Sequence, residues 1–178
     1  MSIIDFRTPA AGFDQPLELW LACHDRVRRM TGLLERLREH VARMGADDAA
    51  RVTATTIRRY FTEAAPRHHQ DEEVDLFPLL RRRLPEKAPG RAAQVSAAIE
   101  RLEADHVALG EVWQRLLPAL ESIERGEAAE LGAEDVRVFV DGYRGHCEVE
   151  DTLVADALRL CLADDDLDAL GQAMAERR

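Results

Sequence analysis

Aromatic residues make up only 5% of this 178-residue chain, glycine and proline number 10 and 7, and Lys87 is the lone lysine. With few aromatic and β-branched residues there is little to build strands from, so the Ala, Leu, Arg and Glu that dominate predict an all-α protein. Cysteine is sparse too. Cys23, Cys147 and Cys161 are odd in number and lack CxxC spacing, which argues against a disulfide framework or a zinc ribbon and leaves three small buried hydrophobes. No apolar run reaches membrane-spanning length, and Met1 to Arg7 has neither the basic start nor the long apolar stretch of an export signal. The expected location is the cytoplasm, with no membrane partner. Positive charge is also in deficit. Asp and Glu total 34 against 24 Lys and Arg, a formal charge of −10, so nucleic acid is not an expected partner. Arg81, Arg82 and Arg83 run against this balance but are expected at a helix end, where cations meet the negative end of the helix dipole.

What is present is helical periodicity. A chain of this length can bury a core without staples, so residues 1–178 are read as a single domain. Asp14-Gln15-Pro16 offers a start for a first helix with apolar positions through Leu17, Leu21, Val27, Leu34 and Val41, and Gly45 stops it. Asp47 or Asp48 can cap a second helix reaching about Leu84, with a kink or a split expected near Pro66. Pro85 to Gly90 breaks the chain before a third helix (Val95, Ile99, Leu102, Leu109, Leu116) that Gly126 closes, and a fourth runs from about Glu134 to Leu162. The predicted fold is an up-down-up-down four-helix bundle, core about 16–162, with a short additional C-terminal helix at about 164–176.

Each long helix carries one histidine: His24, His68, His106 and His146. At about 1.5 Å of rise per residue, His24 and His68 stand at similar distances from the loop near Gly45, His68 and His106 from the loop near Lys87, and His106 and His146 from the loop near Ala128. All four imidazoles can therefore share one layer. Two of them are followed one turn later by a glutamate, as His68-x-x-x-Glu72 and His146-x-x-x-Glu150, which puts nitrogen and carboxylate on one face. Taken singly, each such pair is ordinary on a helix surface. Taken together, buried imidazoles and carboxylates call for a cation, and nitrogen and oxygen donors without thiolate suit iron, with manganese or zinc as substitutes. His69 and Glu73 form an interleaved pair about 100° away, but Phe61, Leu76 and Leu79 share the His68 face and favour His68 with Glu72. His40 has no level partner and is read as solvated. Trp20, Val27, Thr31 and Trp113 are read as core packing beside the layer, and Tyr143 as core with a second role, a hydrogen bond toward a bridging ligand.

These residues carry a resemblance to the hemerythrin-like, or HHE cation-binding, family from about Leu17 to Leu162. The chain reproduces the family's His-x-x-x-Glu followed by Leu-Phe-Pro as His68, Glu72, Leu76, Phe77 and Pro78. It repeats His-x-x-x-Glu as His146 and Glu150 without the Phe-Pro, and has Cys23-His24-Asp25 and Asp105-His106 on the other helices. The resemblance implies two iron ions, bridged by Glu72 and Glu150 with His24, His68, His106 and His146 terminal. Oxygen-carrying members have a second histidine where this chain has Gly110, so the site resembles variants linked to nitrosative stress and iron-centre repair more than reversible carriers. Water, peroxide, O2 or NO could take the place left by Gly110, as could Glu111. The resemblance thus implies a protein that binds or senses O2 or NO or handles iron. An enzyme reducing peroxide or NO, or repairing iron centres, is the alternative, and a homo-oligomer is compatible with either. A ferritin-like di-iron site fits less well, because Glu-x-x-His occurs once, at Glu103 and His106, and Tyr143 stands where the second would need its glutamate.

Overall fold

Helix α1 (Pro16–Met44) begins on a proline whose fixed φ suits the first helical position, with Gln15 rather than Asp14 at the cap and no side-chain cap bond. It ends where Gly45 takes a φ of 75°, a conformation open to a residue without Cβ. Asp47 then caps α2 (Asp48–Arg59), accepting the Ala50 N–H at 2.9 Å. The computed structural model describes residues 11–178, and the reading of no export signal rests on residues outside that range.

The kink expected near Pro66 takes another form. After α2 the rod continues through a π turn (Tyr60–Ala64), α3 (Ala65–Gln70), a second π turn (Asp71–Leu76) and α4 (Phe77–Lys87). The Ala65 N–H reaches the Tyr60 carbonyl and the Phe77 N–H reaches the Glu72 carbonyl, each bond closing just before a proline, Pro66 or Pro78. A wider turn accommodates a residue that has no N–H and whose ring would strike the carbonyl four back. The helix also passes the expected stop at Leu84 and includes Pro85, so the break shrinks to residues 88–91, part of it a 3-10 turn (Pro89–Arg91). Arg81 and Arg83 therefore do not sit at the helix end as expected. Arg81 grips Glu103 with two bonds of 2.8 Å, and Arg83 grips Asp166 at 2.8 and 3.1 Å.

Helix α5 (Ala92–Glu124) follows, then α6 (Ala133–Val149), a third π turn (Glu150–Val154) and α7 (Ala155–Cys161), and finally α8 (Asp164–Glu176). No proline accounts for the third π turn; like the second, it holds the glutamate of a His-x-x-x-Glu pair. The described residues form an all-helical bundle with no strand among them. Helix α1 packs on α2 and α6, α5 packs on the same two, α4 meets α7, and α8 lies on α1 and the second π turn.

The core is in two parts. One cluster gathers Val27, Leu34, Ile57, Phe61, Leu109, Leu116, Phe139 and Tyr143; the other gathers Trp20, Leu76, Phe77, Leu80, Leu102, Val154, Leu158, Leu170 and Met174. Along α1, Trp20 belongs to the second cluster and Val27 to the first, with His24 between them; Leu102, His106 and Leu109 repeat that order on α5. The order reverses on the other rods, from Phe61 through His68 to Leu76 and from Tyr143 through His146 to Val154. All four histidines thus stand where two apolar cores abut. No helix among the described residues is long and apolar enough to cross a membrane.

Candidate metal centre

A polar layer between two apolar clusters needs an explanation, because buried imidazole and carboxylate are costly unless they are partnered. His24, Glu72 and Glu150 are 0% exposed, His68 and His146 3%, and His106 7%. All six residues singled out by spacing come together there. Their inward atoms form two overlapping groups: His24, His68, Glu72 and Glu150 in one, and His106, His146, Glu72 and Glu150 in the other, with all donor atoms of a group within 4.8 Å of each other. The two glutamates belong to both groups.

The Nε2 atoms face inward. His68 Nε2 lies 3.0 Å and His24 Nε2 3.9 Å from Glu72 Oε1, while His106 Nε2 lies 3.3 Å from Glu72 Oε2. Glu150 Oε2 stands 3.3 Å from both His24 Nε2 and His146 Nε2. His106 and His146 approach each other at 3.1 Å between their Nε2 atoms. The i, i+4 pairs His68 with Glu72 and His146 with Glu150 reach one face and point inward, whereas Glu73 bonds His106 from the outer side.

Two of the four outward nitrogens find carboxylates, Asp151, which spacing did not single out, and Glu73, which spacing pairs with His69, while those of His68 and His146 have no hydrogen-bond partner. His24 Nδ1 donates to Asp151 at 2.6 Å, and His106 Nδ1 donates to Glu73 at 2.6 Å. Asp105 stands 3.7 Å from His146 Nδ1, too far for a direct bond. Such outer carboxylates fix which imidazole nitrogen faces inward and raise its basicity. A signal for two of them was in the sequence: each inner glutamate is followed by another acid, Glu72 by Glu73 and Glu150 by Asp151. One step along a helix turns the second acid about 100°, toward a neighbouring rod.

Three further residues complete the surroundings. Trp20, expected to be core packing alone, donates its indole N–H to Glu72 Oε1 at 2.7 Å and meets the His24 ring edge-on at 4.6 Å. Arg28 bonds Asp151 from the surface side. Buried Asp71, beside Glu72, is held by Arg177 at 2.5 Å and Arg178 at 2.6 Å, which ties the end of the chain to the second π turn.

Charge shows what this arrangement lacks. Burial opposes ionisation of Glu72, but His68, His106 and His24 outweigh it and hold its carboxyl well below the usual range. Burial and the charge on Glu72 push Glu150 well above that range. Burial also opposes charge on His24 and His106, yet Asp151 and Glu72 carry the first up to about 9, and Glu72 and Glu73 carry the second up to about 9. Burial prevails at His68, pushed down to about 4, and lowers His146 as well. His24 Nε2, Glu72 Oε2 and both Glu150 oxygens lack a hydrogen-bond partner. These orphaned atoms all point into the centre, and they are the atoms that a cation would take.

Gly110 and Glu111 are exposed, and a Cβ at Gly110 would meet nothing within 4 Å, so Glu111 does not fill the place of the missing histidine. His40 pairs with the cap residue Asp47 at 2.9 Å. Tyr143 and Trp113 pack against Phe61 and Phe139 in the first cluster, consistent with core packing. Cys23, Cys147 and Cys161 are free and buried, as read from the sequence.

Comparisons with known proteins point the same way. A family model described as the hemerythrin HHE cation binding domain matches residues 15–158, a span that contains all six inner residues. An uncharacterized protein of Haemophilus influenzae is 32% identical over 168 residues, covering 94% of this chain and 92% of that protein.

Proposed function

This chain belongs to the hemerythrin HHE cation-binding domain family, and we propose that it holds a pair of iron ions and binds or senses a small ligand such as O2 or NO. His24 and His68 would hold one ion, His106 and His146 the other, with Glu72 and Glu150 common to both. The observation that carries this reading is the sharing: two donor groups built on the same two carboxylates support a dinuclear site over two separate ones. Donors limited to imidazole and carboxylate support iron over metals that prefer thiolate. Iron there would supply a reversible redox couple and an electrophilic face for a small ligand. The protein residues set the conditions. Outer carboxylates orient His24 and His106, Trp20 holds Glu72, and the apolar clusters on both sides keep bulk water away. The alternating order of the rods supports the up-down-up-down bundle with α8 as an added element, and three free cysteines fit a cytoplasmic setting.

Anaerobic purification, metal quantification and absorption spectra before and after O2, NO or peroxide test the proposal. Two irons per chain and a persistent ligand spectrum are expected. Fewer than one metal per chain in a fully loaded sample would sink it, and catalytic consumption of the oxidant would convert the binding protein into an enzyme.

A further inference from the structure

Beside the six inner residues stands a fifth imidazole, His69, with no part in either donor group. His69 stacks on His106 with ring centroids 3.9 Å apart and planes 10° apart, and its ring lies 6.2 Å from those of both His146 and Tyr143. It is half-buried as a residue, yet its Nε2 is wholly buried and has no hydrogen-bond partner. Glu73, one turn later and spaced to pair with it, bonds His106 instead. So a buried ring nitrogen is left beside the centre with nothing to bond.

The two sides of the centre differ in what could use such a nitrogen. On the His24 side, Trp20 meets the ring edge-on and spends its N–H on Glu72. On the His106 side, the place one turn beyond His106 is Gly110, exposed and without a side chain to cover the His106 ring. We propose that His69 hydrogen-bonds small ligands that reach the centre on its His106–His146 side, a role that rests on the metal-pair reading above. The ligand class is a small anion or diatomic with a terminal acceptor atom. A ring stacked on His106 is already oriented and loses little freedom when it makes that bond. His69 would therefore be a ligand-contacting residue and not a metal donor.

The rival role is packing, in which His69 only steadies His106, and two variants separate the roles. His69→Phe keeps a flat stacking ring without an N–H, whereas His69→Gln keeps a donor without the stack. Azide serves as the probe, titrated into iron-loaded protein and followed by the absorption of the bound anion, with metal counted in each sample. The expected result is two irons in both variants, azide binding about tenfold weaker in His69→Phe, and binding closer to wild type in His69→Gln. Unchanged azide affinity in His69→Phe overturns the proposal. So does the reverse ranking, with His69→Gln the weaker, because that is the signature of stacking. Loss of an iron from both variants would make His69 a metal donor and overturn it too. Wild-type protein lacking a metal pair would overturn the functional reading itself, an outcome the metal count reveals before any azide is added.

Discussion

The two halves of the centre have the same inner composition, two histidines and two shared glutamates, and different surroundings. Around His24 and His68, Trp20 covers one face, and the outer carboxylate Asp151 is 28% exposed with Arg28 bonded to it. Around His106 and His146, the outer carboxylates are Glu73, 44% exposed, and Asp105, 33% exposed, with His69 stacked alongside and open space at Gly110. Equal donors thus sit behind unequal barriers. On the proposed reading, inner residues would decide whether a metal is held and the surroundings from which side a small molecule arrives.

The largest expected effect comes from the residues the halves share. Glu72→Ala removes a donor from both groups and leaves the Trp20 N–H unpaired, so both metals should be lost; retention of one by metal quantification would show that the halves are not joined through this carboxylate. A histidine confined to one half should cost less. His68→Ala and His146→Ala are each expected to bring the metal count to one per chain, and emptying of both positions by either change would break the division into halves. Outer carboxylates rank next. Loss of such a partner costs about 10–100-fold in metal affinity, and competition with a chelator should place Asp151→Asn near the upper end and the more exposed Glu73→Gln near the lower. Equal losses would mean that the barriers around the halves are alike after all.

Much of this was legible from spacing, because helical rise converts sequence distance into height. That conversion put His24, His68, His106 and His146 in one layer and set Glu72 and Glu150 on inward faces. It fails where the chain departs from regular rise. The π turns at Tyr60–Ala64 and Asp71–Leu76 divide the rod where spacing gave only a kink or a split near Pro66, and the one at Glu150–Val154 has no proline to announce it. It also cannot rank neighbours that point toward other rods. Glu73 and His69 were visible only as an interleaved pair set aside, Asp151 only as a second acid and Trp20 only as core beside a ligand, and the grip of Arg177 and Arg178 on Asp71 depends on where α8 docks.

The smallest expected effect is a pH dependence that tests the more closed half in metal-free protein. Burial of Asp151 works against its charge, but hydrogen bonds from His24 and Arg28 prevail and lower its folded pKa. A group whose pKa is depressed by folding contributes stability above its unfolded value and loses it as pH falls through the folded one. Acid denaturation curves should therefore show a contribution below about pH 4 that Asp151→Asn removes. Arg28→Ala should remove only part of it, because Arg28 is 43% exposed and such pairs are worth at most about 1 kcal/mol. If Arg28→Ala abolished the contribution entirely, the cover over this half would be Arg28 itself, and the hydrogen bond from His24 to Asp151 would be secondary.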